Sequence, residues 1–233
     1  MTARRRDTKN GHVVGAQLDL YRSVDNRSAN LEFLEPRKSA GEIEMQNRSA
    51  AAQSLFVIKK HDATRLHYDL RLGWNGVMLS WAIPEGPSYC PDHKREAIQV
   101  EDHLREYAGF EGVLPQGRPG AGTVMLWDRG IWTLQPECVD VDAALRDGCL
   151  KLTMYGEKIK GNWTLVRVAD KKGNGQKPLW LLIKDDDEFA RASYEPSILE
   201  EAPNSGATGR SLQEIAQDWV RGKGGGTFQG ELF

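Results

Sequence analysis

Apolar and polar residues alternate strictly at the end of residues 56–72, which have the sequence FVIKKHDATRLHYDLRL. A period of two is typical of a β-strand with one buried face. We therefore predict a strand that begins at Leu66 and turns its leucine and tyrosine side chains, Leu66 included, towards the core. The opposite face carries His67, Asp69 and Arg71.

Similar short runs recur along the chain between turn signals. They cover residues 76–84, 95–101, 123–127, 131–135, 149–155, 161–168 and 179–183. We expect the runs 123–127 and 131–135 to form a hairpin around Asp128-Arg129-Gly130. Five tryptophans within these runs are expected to fill the core: Trp81, Trp127, Trp132, Trp163 and Trp180. Many short strands with little helix indicate an all-β barrel or sandwich.

Two short helices are predicted beside the strands. Asp140 is a suitable N-cap for a helix over residues 141–146, and Gly148 would end it. Ser211 and Glu214 have the spacing of a capping box that begins a second helix. The glycine-rich residues 109–122 precede a strand rather than a helix, so we exclude a dinucleotide-binding loop.

The ends of the chain differ in composition from the middle. Residues 1–53 are polar, poor in aromatic residues and begin with a cluster of arginines, so we expect an arm that is ordered in part at best. Residues 54–195 would form the β domain. Residues 196–233 would form a C-terminal extension with the short helix and a flexible glycine-rich tail.

Charge and cysteine content limit the class of protein. The 233 residues carry a net charge of −2, which does not indicate a nucleic-acid-binding surface, so such a contact would need a local patch. The three cysteines, Cys90, Cys138 and Cys149, have no metal or disulfide spacing and are expected to be reduced packing residues. Without a long apolar segment, we expect a soluble cytoplasmic protein, associated with the nucleoid and without membrane contact.

The polar face of residues 66–72 is the first candidate site. Alternate residues of a strand lie roughly 6.5–7 Å apart, so His67 and Asp69 can converge on one ion while Arg71 reaches an anion. If the link over residues 62–64 turns the chain back, His61 joins them. Two imidazoles and one carboxylate suit Mn, Fe or Zn. The alternative is a solvated strand face on which Arg71 forms an ordinary salt bridge with Asp69 or Glu101.

A second polar group follows the predicted strand 95–101. Glu101, Asp102 and His103 end this strand, and Tyr107 comes shortly after. Polar residues at a strand end are typical of the rim of a site. The alternative is that Glu101 and Asp102 are solvated and that Tyr107 is a core ring with a satisfied hydroxyl.

Seven separated motifs occur between residues 56 and 191. They are KHDATRLHYDLRL, SWAIPEGPS, VEDH, YAGFEGVLPQG, GAGTVMLWDRG, KGNW and WLLIKDDD. In this order they resemble the 3′-phosphoesterase domain of bacterial DNA ligase D, and we expect a free-standing homologue. The resemblance implies a small closed or nearly closed β-barrel with a few short peripheral helices. It also implies bound Mn²⁺, or another divalent metal, and trimming of DNA 3′ ends that carry ribonucleotides or a 3′-phosphate.

The same resemblance implies roles for eight residues. These are metal binding for His61, His67 and Asp69, phosphate binding for Arg71, His103 and Tyr107, support of the site for Glu101, and a part in the phosphomonoesterase step for Arg95. The expected chemistry is metal-assisted phosphoester hydrolysis, in which Arg71 offsets phosphate charge. His103 would either hold the phosphate or protonate the leaving oxygen.

The chain departs from the family pattern at two places. Glu85 stands where the family has a lysine that assists 3′-phosphate removal, so this activity should be disfavoured. In the arm, only Glu35 and Pro36 match the family clearly, with Tyr21 and Asp25 as displaced counterparts of the remaining motif.

The expected partners are the DNA or DNA/RNA 3′ ends of primer-templates, together with a ligase, a polymerase or Ku, and we expect a monomer. Two other functions stay open. An iron oxygenase on a jelly roll would use His67, Asp69 and His103 as its ligands. A non-catalytic β-barrel would bind nucleic-acid ends or a repair partner.

Overall fold

A computed structural model describes residues 54–117, 120–168 and 177–221. The predicted arm over residues 1–53, with Tyr21, Asp25, Glu35 and Pro36, lies outside the described residues, as does the glycine-rich tail from residue 222. The predicted domain boundaries stay predictions.

Within the described residues, nine strands make up the sheet. They are β1 (Ser54–Asp62), β2 (Leu66–Trp74), β3 (Val77–Ile83), β4 (Arg95–Leu104), β5 (Gly112–Leu114), β6 (Gly122–Leu134), β7 (Cys149–Gly156), β8 (Lys160–Arg167) and β9 (Leu179–Lys184). Helical segments are short. They are a 3₁₀ turn (Arg105–Tyr107), α1 (Val141–Asp147), α2 (Ile198–Glu201) and α3 (Leu212–Val220). Within the described ranges, every helix is too short or too polar to span a membrane.

Eight of the strands close into an antiparallel barrel. The hydrogen-bonded order is β1-β2-β3-β4-β9-β8-β7-β6, and β1 also pairs with β6 to complete the ring. In the described part of the chain, β5 pairs only with β6 and lies outside the ring. The predicted all-β class and closed barrel are confirmed. Because the ring is closed, each of its eight strands is paired on both sides within the described residues.

The interior of the barrel is filled by large apolar side chains. All five tryptophans predicted for the core are buried there, together with leucine and isoleucine side chains of the surrounding strands. From β2, Tyr68, Leu70 and Leu72 face this core as the alternation predicts. The prediction for Leu66 is wrong, because this residue begins the strand at the end of the barrel and its side chain is 47% exposed.

The predicted hairpin around Asp128 is also wrong, because β6 continues through it as one strand of 13 residues. Asp128 is fully buried, and its carboxylate accepts hydrogen bonds from the backbone N–H groups of Glu157, Lys158 and Ile159 at 2.8–3.1 Å. Gly130 lies against β7, where an added Cβ would come 2.1 Å from the carbonyl oxygen of Tyr155. Asp128 and Gly130 indicate a turn in the sequence, but in the structure they allow β6 to pack closely against its neighbour.

Both predicted helices form with the expected caps. The Asp140 side chain accepts the N–H of Ala143 at the start of α1, and Gly148 ends the helix with a φ of 77°. Ser211 and Glu214 form the capping box of α3. The three cysteines are unpaired, and Cys149 is exposed rather than packed.

A candidate metal and phosphate site on the outer face of the barrel

The hairpin of β1 and β2 brings the predicted polar residues together. His61 lies opposite His67, and Lys59 lies opposite Asp69, so the four side chains share one face. Ile58, Tyr68 and Leu70, which lie next to these residues along the strands, fill the barrel interior, so the polar face is on the outside of the barrel. The link over residues 62–64 thus turns the chain back as the sequence hypothesis requires.

Two imidazoles and one carboxylate converge on one point. His61 Nδ1 lies 3.7 Å from Asp69 Oδ2, and His67 Nε2 lies 3.4 Å from Asp69 Oδ1. One ligand atom from each of the three residues lies within 4.8 Å of the others, so the group could hold a metal ion. His61 Nε2 is buried and has no hydrogen-bond partner among the described residues. A buried nitrogen that is left unpaired fits a ligand that is still to bind.

The electrostatics keep Asp69 ionised. Burial by itself raises the pKa of this carboxyl, but the adjacent imidazoles of His61 and His67 and the charge of Arg71 outweigh burial and hold the pKa well below its usual range. His67 Nδ1 donates to the carbonyl of Arg65 at 2.9 Å, which leaves Nε2 towards Asp69. The hydrogen bond to Asp69 is the main cause of a raised pKa at His67.

Arg71 lies beside the candidate metal group, where the sequence predicts an anion-binding residue. Its Nη2 lies 3.7 Å from Asp69 Oδ2, and its Nε is buried without a hydrogen-bond partner in the described part of the chain. Burial lowers the pKa of the guanidinium, but a guanidinium stays charged at neutral pH. Part of its planar fork is therefore available for phosphate oxygens.

His103 reaches this face through an irregularity of the sheet. The register of β3 and β4 shifts between Met78 and Ser80, so the alternation along β4 is broken before His103. The Ser80 hydroxyl donates to the carbonyl of Met78 at 2.8 Å and so accepts from His103 Nδ1 at 3.1 Å. Burial and then the charge of Arg71 lower the pKa of His103. The ring is therefore neutral near pH 7, with Nε2 as an acceptor.

Comparison with known sequences identifies the family of the barrel. Residues 59–167 match the model of the DNA Ligase D 3′-phosphoesterase domain. The barrel belongs to this family. The Multifunctional non-homologous end joining protein LigD of Pseudomonas aeruginosa is 42% identical over 179 residues, which is 73% of this chain and 21% of the relative.

Two further relatives carry related names. The LigD protein of Mycolicibacterium smegmatis is 34% identical over 151 residues, 63% of this chain and 19% of the relative. The Multifunctional non-homologous end joining DNA repair protein LigD of Mycobacterium tuberculosis is 39% identical over 112 residues, 48% of this chain and 14% of the relative. The chain thus spans 14–21% of the length of these relatives.

A cavity of about 300 Å³ opens over the polar face of this 3′-phosphoesterase domain. Seven of the eight predicted site residues line it: His61, His67, Asp69, Arg71, Glu101, His103 and Tyr107. Glu101 lies at the exposed rim, where its carboxylate accepts a hydrogen bond from Lys177 at 3.3 Å. The ligand group contains His61 rather than His103, unlike the ligand set that an iron oxygenase would use.

Arg95 is the predicted residue that does not line this cavity. It lies opposite Leu182, which faces the barrel interior, so Arg95 and His103 are on different faces of β4. The Arg95 guanidinium pairs with the carboxylate of Glu85. The residue that departs from the family pattern therefore neutralises the arginine expected to serve the phosphomonoesterase step.

Lys59 lines the cavity but was not among the predicted residues. Its side chain is buried, and its Nζ donates to the carbonyls of Tyr107 at 2.6 Å and Phe110 at 3.0 Å. Burial, and then the charge of Arg71, lower its pKa to about 7. The signal was present in the sequence, because Lys59 precedes His61 by two residues and so shares its strand face.

Proposed function

We propose that this chain is a metal-dependent DNA 3′-end-processing phosphoesterase. It removes 3′-terminal ribonucleotides as a phosphodiesterase and, less readily, 3′-phosphates, in DNA repair by end joining. The observation that carries this proposal is the group of His61, His67 and Asp69, with an unpaired buried His61 nitrogen, beside the open guanidinium of Arg71. The names of the relatives support DNA ends as the substrate class.

The three ligand residues fit Mn²⁺ or another divalent metal, because imidazole nitrogen and carboxylate oxygen are ligands that such ions accept. When bound, the ion would supply positive charge next to the phosphate and lower the pKa of a water molecule. Asp69 contributes the fixed negative charge that attracts the cation. Its low pKa keeps this charge throughout the neutral range.

Arg71 and His103 act on the phosphate itself. Arg71 binds two phosphate oxygens through its fork and offsets the charge that grows on them during hydrolysis. His103 is oriented by its hydrogen bond to Ser80, so that Nε2 can exchange a proton with the substrate. Tyr107 adds a hydroxyl near the phosphate, and Glu101 supports the rim of the site. A neighbouring 2′-hydroxyl would distinguish a ribonucleotide end from DNA.

Removal of a 3′-phosphate is the weaker activity in this proposal. A phosphate monoester carries two charges, and the Glu85 carboxylate stands where a cation would favour it. Arg95 cannot compensate while it is paired with Glu85. The ligase, polymerase and Ku proteins of end joining are the proposed partners, since the relatives are named for that pathway.

The test uses manganese and two labelled primer-templates, one with a single 3′-ribonucleotide and one with a 3′-phosphate. We expect His67→Ala to reduce ribonucleotide removal by about 100-fold or more, because a metal ligand is lost. The matched control is His93→Ala, which removes a histidine that lies outside the cavity and is hydrogen-bonded to Ser88.

DNA affinity is measured in parallel by fluorescence anisotropy. A catalyst keeps most of its DNA affinity in His67→Ala while cleavage is lost. If the wild-type protein changes neither end with any divalent metal but still binds both, the proposed activity is wrong and a non-catalytic end-binding barrel is the better account.

A further inference from the structure

The cavity over the site has two chemically different sides. The strands β1 and β2 contribute the charged and imidazole side chains described above. The other side includes Phe110, Leu114 and Val124, which we call the apolar wall. None of these three side chains has a hydrogen-bond donor or acceptor. Phosphoester hydrolysis does not by itself require such a surface.

Strand pairing holds the apolar wall next to the metal group. Val124 of β6 lies directly opposite His61 of β1, and it also pairs with Gly112 of β5. Leu114 ends β5 two residues further on and pairs with Gly122. The wall is therefore built on the same sheet as the metal ligands, which fixes its distance from them.

Gly120 leaves open the space between the two sides. A Cβ atom added at this residue would lie 3.8 Å from Leu114 Cδ1 and 4.0 Å from His61 Cε1. One point in space is thus in van der Waals contact with both the apolar wall and a metal ligand. A ligand that fills this gap must join a charged part to an apolar part over a short distance.

Lys59 keeps the far part of the wall in place. Its Nζ holds the carbonyls of Tyr107 and Phe110, and it lies 5.5 Å from the centre of the Phe110 ring. The same buried amine therefore connects the strand that bears His61 with the segment that bears Phe110. The wall is a preformed surface rather than one that a ligand must assemble.

We propose that the apolar wall is a subsite for the nucleobase of the nucleotide whose phosphate reaches Arg71. The inference rests on the proposed function. In a nucleotide, the sugar separates a charged phosphate from a flat base, which matches the two sides of the cavity. A cavity of about 300 Å³ also exceeds the space that one phosphate fills. Because the wall offers no polar side chain to a base edge, it accepts all four bases.

The test compares a 3′-terminal ribonucleotide with an abasic ribose at the same position. We expect the wild-type protein to prefer the base-bearing end by about 10-fold in kcat/KM, in the range found for base contacts. Leu114→Ala should reduce this preference to about 2-fold, while Leu114→Met, which keeps an apolar side chain, should retain it. The matched control is Leu104→Ala, at an exposed leucine that does not line the cavity.

A binding measurement separates this inference from the proposed function. A primer with 3′-terminal 2-aminopurine is titrated with protein in the presence of a chelator, so that no cleavage is needed. Its fluorescence should change on binding to the wild-type protein and to Leu104→Ala, and change much less with Leu114→Ala.

Equal reaction and binding of abasic and base-bearing ends by the wild-type protein would overturn the subsite while leaving the hydrolase intact. Absence of cleavage with a retained 2-aminopurine response would instead refute the hydrolase and keep the subsite. A preference of more than about 10-fold for one of the four bases would show that the wall does not act as an unselective apolar surface.

Discussion

Replacing Lys59 by methionine removes a buried amine and keeps a side chain of similar length and shape. The wild-type amine donates to two backbone carbonyls, those of Tyr107 and Phe110. Each such hydrogen bond, from a donor that is charged in part of the molecules at pH 7, contributes about 1–2 kcal/mol. The Tyr107 carbonyl also accepts the N–H of Phe110 at 3.2 Å, and this bond remains after the substitution. Loss of the two contacts should therefore destabilise the protein by about 2–4 kcal/mol.

The substitution also removes the free-energy cost of burying the lysine amine. Folding lowers the pKa of Lys59 from 10.5 to about 7, and each unit corresponds to about 1.4 kcal/mol. At pH 7 the burial of this lysine thus costs about 4 kcal/mol, relative to the protonated side chain of the unfolded protein. The two effects nearly cancel, so we expect Lys59→Met to change the free energy of unfolding at pH 7 by less than about 2 kcal/mol.

The balance changes with pH, and the sign follows from proton binding. Between pH 7 and pH 10, Lys59 is protonated to a greater extent in the unfolded protein than in the folded protein. Its contribution to stability therefore rises with pH. At pH 10 the cost of burial has fallen to about 1 kcal/mol. The free energy of unfolding of Lys59→Met, relative to that of the wild-type protein, should therefore be about 3 kcal/mol lower at pH 10 than at pH 7.

This difference is measured by urea unfolding in the presence of a chelator at both pH values, with the fluorescence of the core tryptophans as the signal of unfolding. Other titrating groups are common to both proteins and cancel. The matched control is Lys94→Met, which makes the same substitution at an exposed lysine. If the difference between Lys59→Met and wild type is the same at pH 7 and pH 10, the argument from the buried amine is refuted.

Three other substitutions test separate parts of the structure. Asp128→Asn should lower the free energy of unfolding in urea by about 1–3 kcal/mol, because the amide nitrogen cannot accept an N–H and the amide oxygen carries no full charge; an unchanged value would contradict the role of the carboxylate. Ser211→Ala removes the capping box of α3 and should cost about 1 kcal/mol by the same measurement. Glu85→Lys should raise 3′-phosphate removal several-fold, by about 3- to 10-fold, with ribonucleotide removal unchanged; an equal rise in both rates would argue against the charge explanation.

The alternation along β2 was sufficient to place His67, Asp69 and Arg71 on one face of the strand, opposite Tyr68, Leu70 and Leu72, which face the core. The position of His61 followed from the short link between β1 and β2. The burial of the five core tryptophans was equally predictable, since large apolar rings in alternating runs are mostly buried in the core.

Long-range features were not predictable. The bulge between β3 and β4 moves His103 to the face opposite that of Arg95, although the two residues are eight positions apart and share parity. A sequence pattern cannot reveal a bulge that depends on the neighbouring strand. Likewise, Asp128 and Gly130 indicate a turn locally, and only the approach of β7 explains why they lie within a strand.

All three candidate metal ligands belong to one hairpin, which spans nine residues from His61 to Asp69. A short hairpin closes quickly and at a small cost in chain entropy. Arg71 belongs to the same hairpin, but Val124 and His103 reach the cavity only when distant strands have paired, including the β1–β6 contact that closes the barrel. During folding, the half of the site that bears the candidate metal ligands is thus a local structure that can form early, whereas the complete cavity exists only after ring closure.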